Sequence, residues 1–521
     1  MHRSRGPARA ALVTALVAGM VPLYPASSAE AKGTGATTGS IAVRGSGFGH
    51  GVGMSQYGAY GQAKARPVLT GAQIAHYYYK GSTVSSYRDN VMLKVNVAHA
   101  SRSMTLRSTS VGTGGGGFTA QVRGVASRWV SRAQYVTVGR TSAGVLLVIH
   151  TTGSADVVMR GASASLIWSQ RATTLDVTTS GTKRYRWGSL ALVPLGSAFE
   201  GVLAVNLHSY LKGVAEMPSS WPKGALQAQA IVSRTYALYA YRAGARSACG
   251  GCHLYGSTLS QVYAGWSKES QPTYGRLWVA AVAATQTGPS TGQTVLYRGV
   301  PVDAFFFSSS GGRTRNSEDV WSATLPFTRS VPDPWSLNRT LNPTYALWSR
   351  SASVPALLRL FGLGDLVSVR VSERDTGGAA RKVTATASNG TSRSVTGERF
   401  RTAFGLPSSW VSGLGTLLVR GRYISVVTNT PSARSVHKSH WFTERGRLTL
   451  AGGSPQRGQK VSVYFVPAGR TRSSYAGTAT TSSNGVWSLP VRAWITGSWF
   501  ASYPGSHSST PTYKGVWVTA F

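Results

Sequence analysis

From Ile41 to about Val427 the chain alternates short β-branched or aromatic runs with glycine- and serine-rich turns, the period-two pattern of half-buried strands. The clearest strand candidates are residues 91–97, 135–138, 144–150, 165–168 and 201–206. Two stretches break the alternation. Leu226, Gln229, Val232, Tyr236 and Tyr239 recur at helical spacing, with Ser219 or Ser220 placed to cap, Pro222 in the first turn and Gly244 as the stop. Trp278, Val279 and Val282 share one side of a second helix over 274–284. Beyond 423–427 a polar bridge reads as a linker at 431–436, and residues 437–521 carry strands near 447–450, 460–465, 485–489 and 515–519. The pattern predicts an α+β fold: a β-rich domain over 41–430 with one principal helix and a β subdomain inserted around 90–190, followed by a small all-β, sandwich-like C-terminal domain at 437–521.

A length of 521 residues exceeds what one core supports, in keeping with this division. The N-terminus runs from His2-Arg-Ser-Arg-Gly-Pro-Ala-Arg9 through an apolar stretch, 10–23, to Pro25-Ala-Ser-Ser-Ala-Glu-Ala31, the order of a secretory signal peptide over 1–31. The apolar part is shorter than the roughly 20 residues a membrane span needs and contains Pro22. The expected location is therefore secreted, extracellular or cell-wall associated. Small polar residues over 32–40 read as a flexible leader.

Charge narrows the partners. The chain holds 54 Lys and Arg against 16 Asp and Glu, a formal charge of +38. Such a surface attracts polyanions. No basic cluster is interleaved with a nucleic-acid-binding motif, so anionic wall polymers are the expected partners and no specific nucleic acid is. The scarcity of acids also singles out Glu216. It stands beside Met217, Pro218 and Trp221, surroundings that would desolvate a carboxylate, raise its pKa and suit it to act as an acid. No second carboxylate lies between Glu200 and Glu269, which favours chemistry with a single acid.

Two cysteines are too few for a disulfide framework. They sit together as Cys249-Gly-Gly-Cys252-His253. A local disulfide needs nothing further and suits an exported protein. Zinc on Cys249, Cys252 and His253 would need a fourth ligand such as His50 or His208. The C-x-x-C-H spacing also matches a haem attachment sequence, without an evident axial-ligand segment. No cofactor is required by any other feature.

Several segments together resemble the SpoIID/LytB family of peptidoglycan-acting proteins: Tyr210-Leu-Lys-Gly-Val-Ala-Glu-Met-Pro-Ser-Ser-Trp-Pro, Ala225-Leu-Gln-Ala-Gln-Ala-Ile-Val-Ser-Arg-Thr-Tyr, Ser260-Gln-Val-Tyr, Phe307-Ser-Ser-Ser-Gly-Gly-Arg-Thr and Gly49-His-Gly-Val-Gly-Met-Ser-Gln-Tyr-Gly-Ala. The last element follows a segment like Phe400-Arg-Thr-Ala-Phe-Gly-Leu in many members but comes first here. This order predicts that residues 41–63 fold back beside strands around 417–427. The resemblance places the catalytic glutamate at Glu216. It implies a lytic transglycosylase, in which one residue protonates the bond between N-acetylmuramic acid and N-acetylglucosamine, then takes the proton of the muramoyl C6 hydroxyl as a 1,6-anhydro ring closes. The second carboxylate of ordinary glycoside hydrolysis is then dispensable.

Around Glu216 the candidates for glycan binding are His50 and Gln56 in the glycine-rich loop, Gln229 and Arg234 on the principal helix, Gln261 and Tyr263, and Ser308, Ser309 and Ser310 before Gly311-Gly312. Each also has a structural reading: a buried brace for Gln229 and Arg234, a core ring for Tyr263, a tight turn for the serines. The competing functions are a non-catalytic glycan binder that enhances a cell-wall amidase, as the LytB side of the resemblance implies, and a wall-anchored structural protein.

Overall fold

The computed structural model describes residues 35–521 apart from 66–67, 322, 416–417, 420–421, 424, 452, 471, 507–508 and 511. The stretch expected as a signal peptide, 1–31, and the first residues of the expected leader lie outside the described residues. The fold is β-rich α+β, with eight α-helices among the described residues. Three cores organise it.

The first core belongs to two antiparallel sheets and the helices beside them. One sheet has seven strands in the order Leu254–Tyr255, Met92–Ser101, Ala198–Asn206, Ser189–Leu195, Ala164–Trp168, Gly117–Val122 and Arg128–Ser131; the first of these pairs in parallel. The other has six, with Thr173–Thr178 and Tyr135–Thr141 flanking Ser103–Ser110. Alternation explains both: Val136, Val138, Leu147, Ile149, Leu166, Leu190 and Leu192 are buried while their neighbours in sequence are more exposed.

Beside these sheets lie helices α1 (Gln56–Lys64), α2 (Gly71–Tyr78), α3 (Leu207–Lys212), α4 (Lys223–Ala243), α5 (Trp266–Glu269) and α6 (Gly275–Ala284). Helices α3 and α5 touch them, α2, α4 and α6 pack on a four-stranded sheet of Thr83–Arg88, Gln286–Gly288, Thr291–Tyr297 and Val300–Pro301, and α1 packs on α4. The principal helix α4 starts later than its serines suggest. Pro222 is its N-cap, without a side-chain cap, because Ser219 turns away to donate to Gln271 Oε1 at 2.7 Å. Gly244 ends it at φ +91°, as a C-terminal glycine can.

The second core holds α7 (Val354–Phe361), α8 (Gly397–Ala403) and the sheet Ser368–Arg374, Ala380–Thr386 and Ser392–Thr396. The chain's first strand, Ser40–Gly45, lies between Trp348–Ser353 and Val411–Leu414, antiparallel to both. The fold-back of 41–63 is thus present, with 407–415 as a partner among the described residues. Gly415 N–H donates to Ala42 O, Ser46 N–H to Trp410 O, and Gly49 N–H to Pro407 O. Strand Ser425–Val427 instead joins the C-terminal sandwich. The leader is anchored where it is described: Ala36 is buried and bridges Leu366, and Gly35 N–H donates to Asp365 Oδ2.

The third core is a sandwich of two sheets, one of three strands and one of five. The stretch expected as a linker is part of its edge. Thr430 and Ser432 donate backbone N–H to Arg445 and Thr443, and Ser435–Val436 pairs with Thr512–Ala520.

Candidate active site around Glu216

Asn206 caps α3 by accepting from His208 N–H, and Gly213 then lets the chain turn against the segment 262–264. Val214 bridges Tyr263, Ala215 N–H donates to Val262 O at 2.8 Å, and Val262 N–H donates to Glu216 Oε1 at 2.6 Å. The carboxylate thus closes a short antiparallel ladder. Its Oε2 has no partner among the described residues and is not sealed from solvent, so it is the atom free to meet a substrate. From the other side Gln56 Nε2 donates to Glu216 O at 3.0 Å and to Gln229 Oε1 at 3.2 Å, and Gln229 passes its amide on to Ser233 Oγ.

Burial raises the Glu216 pKa, opposed by the Val262 N–H bond and by the positive charge of Lys268. The principal helix begins beyond the turn at Pro218–Trp221, and a helix dipole fades within one turn, so its positive end adds little at Glu216. Met217 supplies buried apolar surface and Trp221 half-buried surface, whereas Pro218 is exposed. Trp221 stacks on Tyr60 at 4.6 Å and leans on Tyr57 at 5.0 Å, an aromatic wall beside the loop.

Lys268 was not foreseen from the sequence. It is buried, its Nζ donates to Met217 O at 2.5 Å, and burial lowers its pKa to about 8. Its charge holds Glu216 toward the carboxylate. Lys268→Met is therefore expected to raise the Glu216 pKa, read by NMR titration of its carboxyl carbon. An unmoved titration would remove Lys268 from the site's electrostatics.

Tyr210 and Tyr236 both feel the Glu216 charge. Tyr236 also walls a cavity of about 270 Å³, shared with Arg246, His253, Leu259, Ser260 and Asp303. Glu216 does not line this cavity, and Tyr236 is the link between them. Asp303 is a second carboxyl at this face: its Oδ1 is buried without a partner, and burial raises its pKa to about 7. Its signal in the sequence is the one that exposed Glu216, an acid in an apolar run, Val300-Pro-Val-Asp-Ala-Phe-Phe-Phe307.

The other candidates separate into braces and core. In the loop Gly47-Phe-Gly-His-Gly-Val-Gly53 all four glycines have positive φ, and a Cβ on Gly53 would lie 2.0 Å from Phe305 O, which accounts for the spacing. His50 braces this loop: Val52 N–H donates to Nδ1 at 3.1 Å, which assigns the proton to Nε2, 3.1 Å from Phe306 O. Burial lowers its pKa to about 4, so the ring is neutral and both nitrogens are engaged. Arg234 is fully buried and pairs with Asp89 at 3.0 Å, with further bonds to Thr285 Oγ1 and Gln293 O. It reaches neither Glu216 nor open solvent. Burial pushes Asp89 up and Arg234 down despite their attraction, so the fold holds the pair at a cost.

Gln261 is buried and donates to Ser233 O, and Tyr263 stacks in the core on Tyr210 at 4.9 Å. Ser308 holds α1 by accepting Tyr57 N–H on its carbonyl. Ser309 is buried and exchanges backbone bonds with Phe48, and Ser310 Oγ donates to Asp333 Oδ2 at 2.7 Å. Asp333, buried and raised to about 6, also accepts from Ser336 and Tyr78. Gly311 is small for a neighbouring ring, since a Cβ there would lie 2.2 Å from Trp410. The serine bend is therefore packed against protein, with the Ser309 and Ser310 amides donating to Phe48 O and Ser336 Oγ. Cys249 and Cys252 form a disulfide, which occupies both thiols, and His253 Nδ1 accepts Lys94 N–H. The zinc alternative on these residues has no ligand set, and the thiols are closed to haem attachment.

Residues 196–289, which hold this loop and α4, match the family model SpoIID, the stage II sporulation protein. These residues form a SpoIID domain. The chain is similar to stage II sporulation protein D of Bacillus amyloliquefaciens, 31% identical over 169 residues, which is 30% of this chain and 46% of that protein. The protein of the same name from Bacillus subtilis (strain 168) is 28% identical over 184 residues, 33% of this chain and 52% of that one. An amidase enhancer of Bacillus subtilis (strain 168) is 28% identical over 283 residues, 50% of this chain and 37% of that protein. The chain spans about half the length of the two sporulation proteins it matches.

Proposed function

We propose that this SpoIID/LytB protein is a secreted peptidoglycan-remodelling enzyme, a lytic transglycosylase that cleaves between N-acetylmuramic acid and N-acetylglucosamine and leaves 1,6-anhydro ends. One observation carries the reading: Glu216 is fixed through Oε1, free at Oε2 and raised in pKa by burial. The protonated Oε2 gives its proton to the glycosidic oxygen as the bond breaks. The resulting carboxylate, stabilised on Oε1 by Val262 N–H, takes the proton of the muramoyl C6 hydroxyl as that oxygen closes on the anomeric carbon. One group serves both steps because the nucleophile is within the substrate. Tyr57, Tyr60 and Trp221 supply the apolar wall on which sugar faces can stack.

A second reading is favoured by the match to the amidase enhancer, which extends over more of this chain than the matches to the sporulation proteins. In it the same cleft binds glycan and Glu216 only positions it for a partner amidase. Incubating purified protein with intact and with peptide-stripped glycan strands separates the two by mass analysis. Anhydro-ended fragments support the transglycosylase; bound but uncut strands support the enhancer and overturn it.

A further inference from the structure

We propose that the C-terminal sandwich carries a binding platform for an anionic polysaccharide, built from Trp441, Arg492 and Trp494. The inference rests on the sandwich surface alone and stands whether or not Glu216 cleaves glycan.

Trp441 and Arg492 face each other across the antiparallel pair Trp441–Leu450 and Val486–Arg492. The Arg492 guanidinium carbon lies 6.0 Å from the Trp441 ring centroid and 4.7 Å from that of Trp494. Both indoles are mostly exposed, 66% and 60%. An indole left in water forgoes one of the largest apolar burials available to a side chain, and here two do so on either side of one cation. Arg492 Nε donates to Ser439 O, while its two terminal nitrogens have no partner among the described residues. The guanidinium is thereby oriented, with donors left over for an anion.

The segment that orients it is strained. Ser439 sits at φ +64°, in the left-handed region that serine rarely enters, and it is held there by Ser439 N–H to Ala493 O and Ala493 N–H to His440 O. His440 directly precedes Trp441, while His437 and Lys438, also exposed, lie against Phe521, the His437 ring 4.2 Å from its ring and Lys438 N–H donating to its O. Across 425–521 the one carboxylate side chain is Glu444, and it is buried. No acidic side chain on this module competes for the cations.

The chemistry selects the ligand class. Pyranose rings present apolar C–H faces that pack on indoles, and a carboxylate or phosphate on the polymer suits the free arm of Arg492 and Lys438. A neutral glycan would leave those donors unused. Nucleic acid is disfavoured because its affinity comes from many phosphate contacts, and the platform offers two permanent cations.

The test uses the full chain with polygalacturonate, dextran and an oligo-dT strand as probes, read by calorimetry at fixed salt. Polygalacturonate is expected to bind most tightly. The double variant Trp441→Ala/Trp494→Ala and the single variant Arg492→Gln should each weaken it about tenfold with an unchanged melting midpoint, whereas Arg447→Gln, about 20 Å along the same strand, should not. Glu216→Gln should bind as the wild type does. Equal losses from Arg447→Gln and Arg492→Gln would mean diffuse charge attraction and overturn the platform. So would dextran binding equally well, oligo-dT binding more tightly, or tryptophan variants that bind normally.

Discussion

Glu216→Gln is expected to lower glycan cleavage by about 10²–10⁴-fold or more, the range for loss of a general acid or base, while the protein stays folded. The amide keeps the acceptor for Val262 N–H and leaves the backbone bond from Gln56 untouched, but it has no proton to give. Stability should move in the opposite direction to activity. Burial raises the folded-state pKa of Glu216, so its contribution to stability is fully present below the unfolded-state pKa and is lost as pH rises through the folded value. The variant should therefore be at least as stable as the wild type at neutral pH, with the difference shrinking at acid pH. Urea melts at several pH values together with turnover on glycan check both parts. Full activity in the variant would end the catalytic role; collapse of its fold would make Glu216 structural.

The second large effect concerns the joint between the two cores. Arg315 is almost wholly buried and donates to Asp375 Oδ2 at 2.6 Å, Glu398 Oε1 at 2.7 Å, His50 O, Ser409 Oγ and Asp319 O. Its own N–H donates to Gly51 O, so one residue fastens the glycine loop to the second core. Arg315→Ala leaves Asp375 buried without its cation. The expected cost is about 3–5 kcal/mol, the usual range for breaking a buried pair on one side. The glycine loop leads directly into Gln56, which holds the Glu216 carbonyl, so turnover should fall with stability. Arg315→Lys should recover part of the loss, because a lysine keeps the charge but not the planar fork. Denaturant midpoints decide this, and an alanine variant within about 0.5 kcal/mol of the wild type, the range of ordinary surface changes, would contradict it.

Local pattern made the strands and the long helix legible, because alternation and helical spacing act within a few residues. It made Glu216 legible too, since an acid in an apolar loop stands out in a chain with so few acids. The same rule applied at residue 303 would have found Asp303. What pattern could not supply was pairing at a distance. Arg234 looked like a site residue from its helix and its place after Glu216, but its partner, Asp89, is 145 residues away. His50 and the serines at 308–310 likewise owe their bracing roles to Phe306, Phe48, Asp333 and Asn342, contacts made only once the chain has folded back. The helix start was misplaced for a smaller reason: a serine caps only when its hydroxyl is free, and Ser219 is committed to Gln271.

The central claim is that the nucleophile comes from the sugar and not from water. Cleavage of peptide-stripped glycan in water enriched with heavy oxygen tests it most directly. If Glu216 closes the anhydro ring, the new muramic acid ends carry no heavy oxygen and lack one water relative to a hydrolysed end. Heavy oxygen at those ends would show that water attacks, and would contradict the single-carboxylate mechanism.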